Sequence, residues 1–345
     1  MANMDVKIPR FYPDLINHIM SRGVAQTDVA DVITGTNLIG VQNGTEAELF
    51  DLNPLNQVDF NTSADDDGHV LINIDTQNQS KRINFIAILN HNMVTAGAEF
   101  IAATSNTESH INNVDFASGH ADIDGTEIVN ADDIESSGTH AVTPGTNGST
   151  IIRFAETSHQ HIGIQFQGSD GTFTATDLKI GCIIVGEYFD MPFAPDLSLK
   201  RSIVYDSNKI QESLGGQKYS TMVNHGRKTF GAGNISPFSI TTVNHDLYGG
   251  RIIYDLNFSF LNSDKIMPEE YSNHEDDSGD DQVITDVWEV TNGNHLPFIF
   301  SVDNTSEGDE AESEHIFARF GQDSLDMTQV ANGVYSLSMK IEEEF

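Results

Sequence analysis

Short apolar runs, each closed by glycine, asparagine, aspartate or serine, recur along almost the whole chain, and no 3.6-residue periodicity is sustained between them. That pattern constrains the fold more than any other feature, because a helix needs its apolar positions three and four apart while a half-buried strand needs them two apart. Runs at 70–74, 84–89, 99–103, 149–154, 161–166 and 177–185 are rich in Ile, Val and Phe and bounded by turn formers, the signature of strands. Residues 161–166, His-Ile-Gly-Ile-Gln-Phe, alternate with period two, as antiparallel strands do when one face lies in a core. A second series follows at 203–205, 238–243, 251–260, 296–302, 315–320 and 333–341, while 286–290 reads equally as a strand or a short helix. The expectation is an all-β protein of two β-sandwich or jelly-roll-like domains.

Composition shifts set the expected boundaries. Residues 1–30 mix aromatic, proline and basic residues ahead of the regular pattern and read as an N-terminal arm, with Leu15, Ile16 and Ile19 spaced for one helical turn. A β-sandwich is expected over 31–190 and a second β domain over 191–345, joined by the two-proline stretch 189–195, which is stiff rather than free. Residues 104–148 are polar and read as one long surface excursion, or as two weak strands around 113–116 and 127–129. Long acidic loops at 275–281 and 307–314 interrupt the second domain.

The charge excludes whole classes of partner. The 52 acidic residues against 17 basic give −35, a surface that repels nucleic-acid phosphates and anionic membranes. No run approaches the ~18 apolar residues of a membrane span, and the first residues lack the apolar stretch of a secretory signal. With 20 Phe and 8 Tyr the chain has ample core material, so the acidity belongs to a folded surface screened by salt or cations rather than to disorder. The one cysteine, Cys182, lies in an apolar run and reads as a buried thiol.

Catalytic signatures are absent: there is no phosphate-loop pattern, no Gly-x-Gly-x-x-Gly, no His-Glu-x-x-His and no Gly-x-Ser-x-Gly. A pair of glycosidase carboxylates can be imagined in any chain this acidic, so the exclusion is weakest there. The candidate sites are therefore binding sites. His159 and His161 are two apart and share a face if the strand includes both, with His91 or His110 to complete a metal site; two polar positions of an exposed strand are the alternative. Asp65 and Asp67, followed by Gly68, and Asp122 and Asp124, followed by Gly125, resemble fragments of calcium loops, although aspartate is common in turns for local reasons. Tyr188, Phe189 and the single tryptophan, Trp288, are candidate sugar platforms, with core packing as the alternative.

Two stretches carry a family resemblance. Residues 84–92, Asn-Phe-Ile-Ala-Ile-Leu-Asn-His-Asn, with 99–105 and the later run 178–186, resemble a galactose-binding-like jelly roll of the kind found in tailed-phage tail and fibre proteins. Residues 296–303, 317–320 and 335–343 are similar to the ends of distal-tail and tail-tip proteins. The resemblance implies a non-enzymatic structural subunit of a virion tail tip or baseplate, assembled in the host cytoplasm as a closed ring and meeting tube, hub and fibre proteins. A carbohydrate-binding receptor adhesin is the alternative, and a glycan-degrading enzyme a more distant one. In such a ring the edge strands are ready for pairing between subunits. The arm residues Arg10, Phe11 and Tyr12 and the basic residues Lys200, Arg201, Arg227 and Lys228 are the expected interface with acidic neighbours. At −35 per chain, association is expected in high salt and opposed at low ionic strength.

Overall fold

Every residue of the strand Ile83–Leu89 is buried, and so is every residue of its neighbour Cys182–Gly186. A strand with a single core face would alternate buried and exposed positions, so this sheet must be covered on both sides. The computed structural model, which describes residues 7–77, 82–123, 125–134, 140–146, 148–204, 208–222, 251–268, 282–306 and 314–344, shows how. Three antiparallel layers are stacked. The outer layer holds Ala30–Ile33, Val70–Asp75, His161–Gly168, Ala98–Ser105 and Val142–Pro144, and the middle layer holds Cys182–Gly186, Ile83–Leu89, Ser149–Thr157 and Gly125–Ile134. Gly125–Ile134 pairs with both Ser149–Thr157 and Val142–Pro144, so these two layers are one sheet folded over on itself. The third layer runs Phe189–Asp190, Arg10–Tyr12, Phe298–Ser301, His315–Phe320, Val334–Glu343, Arg251–Asn262 and Lys200–Val204. The chain is all-β, with short helical pieces at the rims.

Alternation along the strands sorts side chains into three cores. Ile86, Ile88, Ile152, Ile183 and Val185 of the middle layer meet Ile72, Phe100, Ile162, Ile164 and Phe166 of the outer one. Their neighbours Phe85, Ala87, Leu89, Ile151, Cys182 and Ile184 point the other way, onto Tyr12, Ile299 and Phe317 of the third layer. The opposite face of the third layer, with Phe11, Phe298, Phe300 and Phe320, forms a further core beneath the helical turn Ile284–Trp288. Cys182 is buried as expected; burial, then the carboxylates of Asp14 and Asp51, hold its thiol well above the ordinary range. Among the described residues no helix is long and apolar enough to cross a membrane.

The N-terminal residues are structural members of both halves rather than a separate arm. Arg10–Tyr12 is an interior strand of the third layer, paired with Phe189–Asp190 on one side and Phe298–Ser301 on the other. Arg10, Phe11 and Tyr12, expected at an interface with neighbouring subunits, are buried inside this chain at 5%, 0% and 1% exposure. The physical reason is that this strand fills a gap in its own sheet, so its backbone groups are already paired. Two residues past this strand, Asp14 caps the helix Leu15–Ser21, accepting from Asn17 N at 2.8 Å and from Val185 N of the middle layer at 3.4 Å. Leu15, Ile16 and Ile19 enter the core between the outer and middle layers, as their spacing predicts.

Other expectations resolve locally. Residues 127–129 lie in the strand Gly125–Ile134, but 113–116 form a turn in which Asp115 and Phe116 take left-handed backbone angles, φ 57° and 52°. Residues 286–290 begin in the helical turn Ile284–Trp288. The expected strand 238–243 and the acidic loops 275–281 and 307–313 lie outside the described residues.

Two measurements check this arrangement. Phe317→Ala removes a ring shared between the middle and third layers and is expected to cost about 3–5 kcal/mol; calorimetry should then show two separated transitions where the wild type shows one. The second concerns Asp14, whose carboxyl burial raises to about 6 against the pull of its hydrogen bonds from Asn17, Val185 and Ile16. A raised folded-state pKa contributes stability below the ordinary carboxyl range that is lost as pH rises through 6. The stability of Asp14→Asn relative to wild type is therefore expected to shift in the variant's favour by about 2–3 kcal/mol between pH 4 and pH 7. Parallel pH–stability curves for the two proteins would refute that assignment.

Candidate functional site

The strand His161–Gly168 sends Ile162, Ile164 and Phe166 into the core and leaves His161, Gly163, Gln165 and Gln167 on the outer face of the molecule. Most of that face is covered by the turn that follows Ala98–Ser105. Ile111 and Phe116 of this turn pack with Leu71, Ile101 and Ala103. They lie directly over Gly163, where a Cβ would come within 2.6 Å of Phe116 Cε1 and 3.1 Å of Ile111 Cβ. Gln165, fully buried, locks the turn in place. Its Oε1 accepts from Asp115 N at 2.8 Å, and its Nε2 donates to Asp115 Oδ1 at 3.2 Å and to Gln167 Oε1 at 3.1 Å.

Beside this cover, where Ala30–Ile33 forms the edge of the sheet, a half-open recess of about 110 Å³ remains. Its polar walls come from Thr27, Asp28, Asp31, Asn73, Asp75 and Glu108, drawn from the helical turn Gln26–Val29, two adjacent strands and the covering turn. Asp31 and Asn73 are register partners. Asp75 is fixed: its Oδ1 accepts from Gln77 N at 2.7 Å and Gln160 Nε2 at 3.0 Å, and its Oδ2 stands 4.0 Å from Nδ1 of His161, its own register partner. Burial and hydrogen bonding to Asp31 raise the Glu46 carboxyl above its ordinary range. Asn73 is only 8% exposed, and its Oδ1 has no hydrogen-bond partner among the described residues. A buried amide carbonyl without a partner costs about 1–3 kcal/mol.

The recess is therefore a cluster of acceptors. It suits a ligand that presents several hydroxyl or ammonium hydrogens. Phosphate, sulfate and carboxylate groups are repelled from it. Among the described residues no three His, Cys, Asp or Glu side chains converge to hold a metal ion.

The residues singled out from sequence fall elsewhere. His159 precedes the strand rather than joining it and bonds Thr104 Oγ1 at 2.8 Å, while His110 bonds Ser105 Oγ at 3.0 Å. His91 is enclosed, with Thr150 Oγ1 at 2.9 Å and Met93 N on its other nitrogen, and burial lowers its pKa to about 3. Asp65 and Asp67 are exposed in a turn closed by Gly68 N on Asp65 O. Asp122 accepts from His120 Nε2 at 2.8 Å, and Asp124 lies outside the described residues. Trp288 is half-buried, 5.0 Å from the Phe320 ring, and packs on the third-layer core. Phe189 is buried, and Tyr188 carries the Arg10 guanidinium 4.1 Å above its ring, with Arg153 at 5.9 Å. Each of these three aromatic residues has core, ring or guanidinium contacts within the chain, and Tyr188 and Trp288 keep part of their surface exposed. Lys200 is exposed and paired with Asp255 at 3.3 Å, Arg201 sits over the Tyr254 ring, and Arg227 and Lys228 lie outside the described residues.

No protein-family profile matches the chain, and no curated protein sequence matches it. Among solved structures, chitosan-binding module 1 of a chitosanase/glucanase from Paenibacillus sp. IK-5 is 13% identical, with a TM-score of 0.30 over 46% of this chain and 92% of the module. CBM32-3 of a family 31 glycoside hydrolase from Clostridium perfringens is 14% identical, with a TM-score of 0.30 over 48% and 97%. The CBM32 of AlyQ, solved with 4,5-unsaturated mannuronic acid, is 11% identical, with a TM-score of 0.28 over 45% and 95%. With superposition scores this low, neither the fold nor the site described above rests on these matches.

The covering turn can be tested separately from the recess. Gly163→Ala is expected to lift Phe116 and Ile111 off the sheet at a cost of about 1–3 kcal/mol. Hydrogen exchange should then rise across 106–120 while the strands beneath keep their protection. Unchanged exchange in that segment would show that the glycine is not needed for the close approach.

Proposed function

We propose that this protein is a non-catalytic carbohydrate-binding protein and that the recess at the Ala30–Ile33 edge receives the hydroxyl-rich or amino-bearing end of a glycan. The observation that carries this reading is the gathering of Asp28, Asp31, Asp75, Glu108 and Thr27, with Asn73 beside them, in the walls of one recess. Sugars present closely spaced hydroxyl donors to such a wall, and an amino sugar adds a cation, for which charge-assisted bonds to carboxylates are about twice as strong as neutral ones. Uronic, sulfated and phosphorylated glycans are disfavoured by the same charges. A recess of about 110 Å³ takes one end of a chain rather than residues on both sides of a glycosidic bond, which favours capture over cleavage.

A second reading, a structural subunit of a tailed-virus particle that meets other tail proteins, draws on a different observation. Large apolar side chains of the second half, including Ile203, Ile210 and Tyr219, stand in solvent, as they do where a neighbouring subunit covers them. None of the structures named above is a tail protein, and the two readings coexist in an adhesin carried on such a particle.

A glycan array followed by calorimetry on the best ligand tests the first reading. Saturable binding of neutral or amino-bearing glycans is expected, with Kd roughly 0.1–1 mM, corresponding to about 4–5.5 kcal/mol. Asn73→Ala, and Asp31→Asn together with Asp75→Asn, should each weaken it about tenfold, and no new reducing ends should appear on prolonged incubation. The reading fails if no glycan binds saturably, or if these variants bind as the wild type does.

A further inference from the structure

The strand Lys200–Val204 ends the third layer. It pairs with Arg251–Asn262 along one edge, and no other described strand takes its second edge. Ile203 and Val204 on this strand are exposed, the first to 55%. The chain continues into a two-stranded ribbon, Asn208–Glu212 with Lys218–Met222, whose only pairing among the described strands is with itself. The ribbon is closed by a tight loop in which Ser213 N donates to Gln217 O and Gly216 adopts φ +81°. A lone two-stranded ribbon is marginally stable in water. This one sets Ile210 on one face at 65% exposure and Tyr219 on the other at 55%, with Leu214 fully exposed at its tip.

Charge sets this segment apart from the rest of the molecule. Between residues 200 and 222 the sequence has four basic residues, Lys200, Arg201, Lys209 and Lys218, against two acidic ones, Asp206 and Glu212, in a chain of net charge −35. Lys200 is paired with Asp255 and Lys218 is the register partner of Glu212, so the segment carries at most a small positive excess, but it lacks the acidity of the rest. An exposed apolar surface of this kind fits an acidic partner with open backbone or apolar surface, and a second copy of this chain supplies both.

We propose that the edge strand Lys200–Val204 and the ribbon Asn208–Met222 form the surface through which copies of this chain dock onto one another. The apolar residues Ile203, Ile210, Leu214 and Tyr219 supply the contact, and Lys209 and Lys218 offset the acidity of the neighbour. The two effects predict a specific salt response. Screening of the net repulsion between acidic subunits at 1 M salt, where the Debye length is about 3 Å, allows association that low salt opposes.

The test is sedimentation velocity on the full chain at 5–100 µM, in roughly 0.05 M and 1 M KCl, the two limits that bracket that screening. Wild type is expected to be monomeric at low salt and a defined oligomer at high salt. Ile210→Ser with Tyr219→Ser should stay monomeric in both, and Lys209→Glu with Lys218→Glu should require more salt than the wild type to associate. All variants should keep the wild-type Tm within a few degrees, since these residues are exposed, and should bind glycan unchanged, which separates this proposal from the reading of the recess. A wild type that remains monomeric at the highest salt and concentration overturns it. So does an oligomer that the Ile210/Tyr219 double substitution leaves intact.

Discussion

The burial of the middle sheet on both faces is the constraint on which the rest of the structure depends. Phe85, Ala87 and Leu89 are as buried as Ile86 and Ile88, so this sheet is stable only with a layer on each side. A fully buried side chain of this size contributes about 1.5–3 kcal/mol, and the second interface brings in Tyr12, Ile299 and Phe317 from segments far apart in sequence. The two halves of the chain consequently act as one packed body rather than as domains on a linker. The stretch 189–195 starts as part of the third sheet, because Phe189–Asp190 is its first strand.

The same constraint explains an ion pair whose guanidinium is buried. Arg10 reaches across to Asp190, its register partner, with Nε to Oδ1 at 2.5 Å and one terminal nitrogen to Oδ2 at 2.7 Å, and it lies over the Tyr188 ring. Asn304 adds a third donor to the same carboxylate at 3.0 Å. Burying a guanidinium costs several kcal/mol unless its geometry is satisfied. A planar bidentate pair stacked on an aromatic face meets most of that requirement as lysine would not, with Nη1 alone of the guanidinium nitrogens left without a hydrogen-bond partner among the described residues. The pair fixes the register of the N-terminal strand in a sheet whose hydrophobic pattern alone, Phe11 to one side and Tyr12 to the other, offers both faces an apolar side chain. A one-residue slip would exchange the two cores.

Strand positions were legible in the sequence because period-two alternation survives wherever one face is polar, as along His161–Gly168. The layering was less so. In 83–89 both faces are apolar, and a continuous run identifies a buried strand without saying what covers its second side. The role of residues 10–12 was hidden for a related reason: three residues are too few for a periodicity, and their partners lie at 189–190 and 298–301. The recess was missed because its residues look ordinary. Asn73 and Asp75 are outward positions of a strand, Asp31 belongs to the next, and Glu108 comes from the covering turn, so only the pairing of Ala30–Ile33 with Val70–Asp75 brings them together. An asparagine inside an Ile-rich strand is the one local signal, since that residue is depleted in strands. Among the residues that stand out by type, His91, His110 and His159 bond nearby hydroxyl groups and Trp288 packs against Phe320.

The distribution of polar valence over the three layers bears on how a weak site becomes useful. The recess lies at the edge of the outer sheet, and the docking strand lies at the edge of the third, with the doubly buried middle sheet between them. An acceptor wall open to water gives modest affinity, because each bond to the ligand replaces one to solvent. Copies joined through the third layer would present many such walls at fixed spacing, and the second and later contacts with a repeating glycan become intramolecular, raising avidity by a factor of about 10²–10⁴ without any new interaction. Under the two proposals the high negative charge is compatible with assembly only where salt screens it, and glycan capture by the oligomer would follow ionic strength through association rather than through the recess.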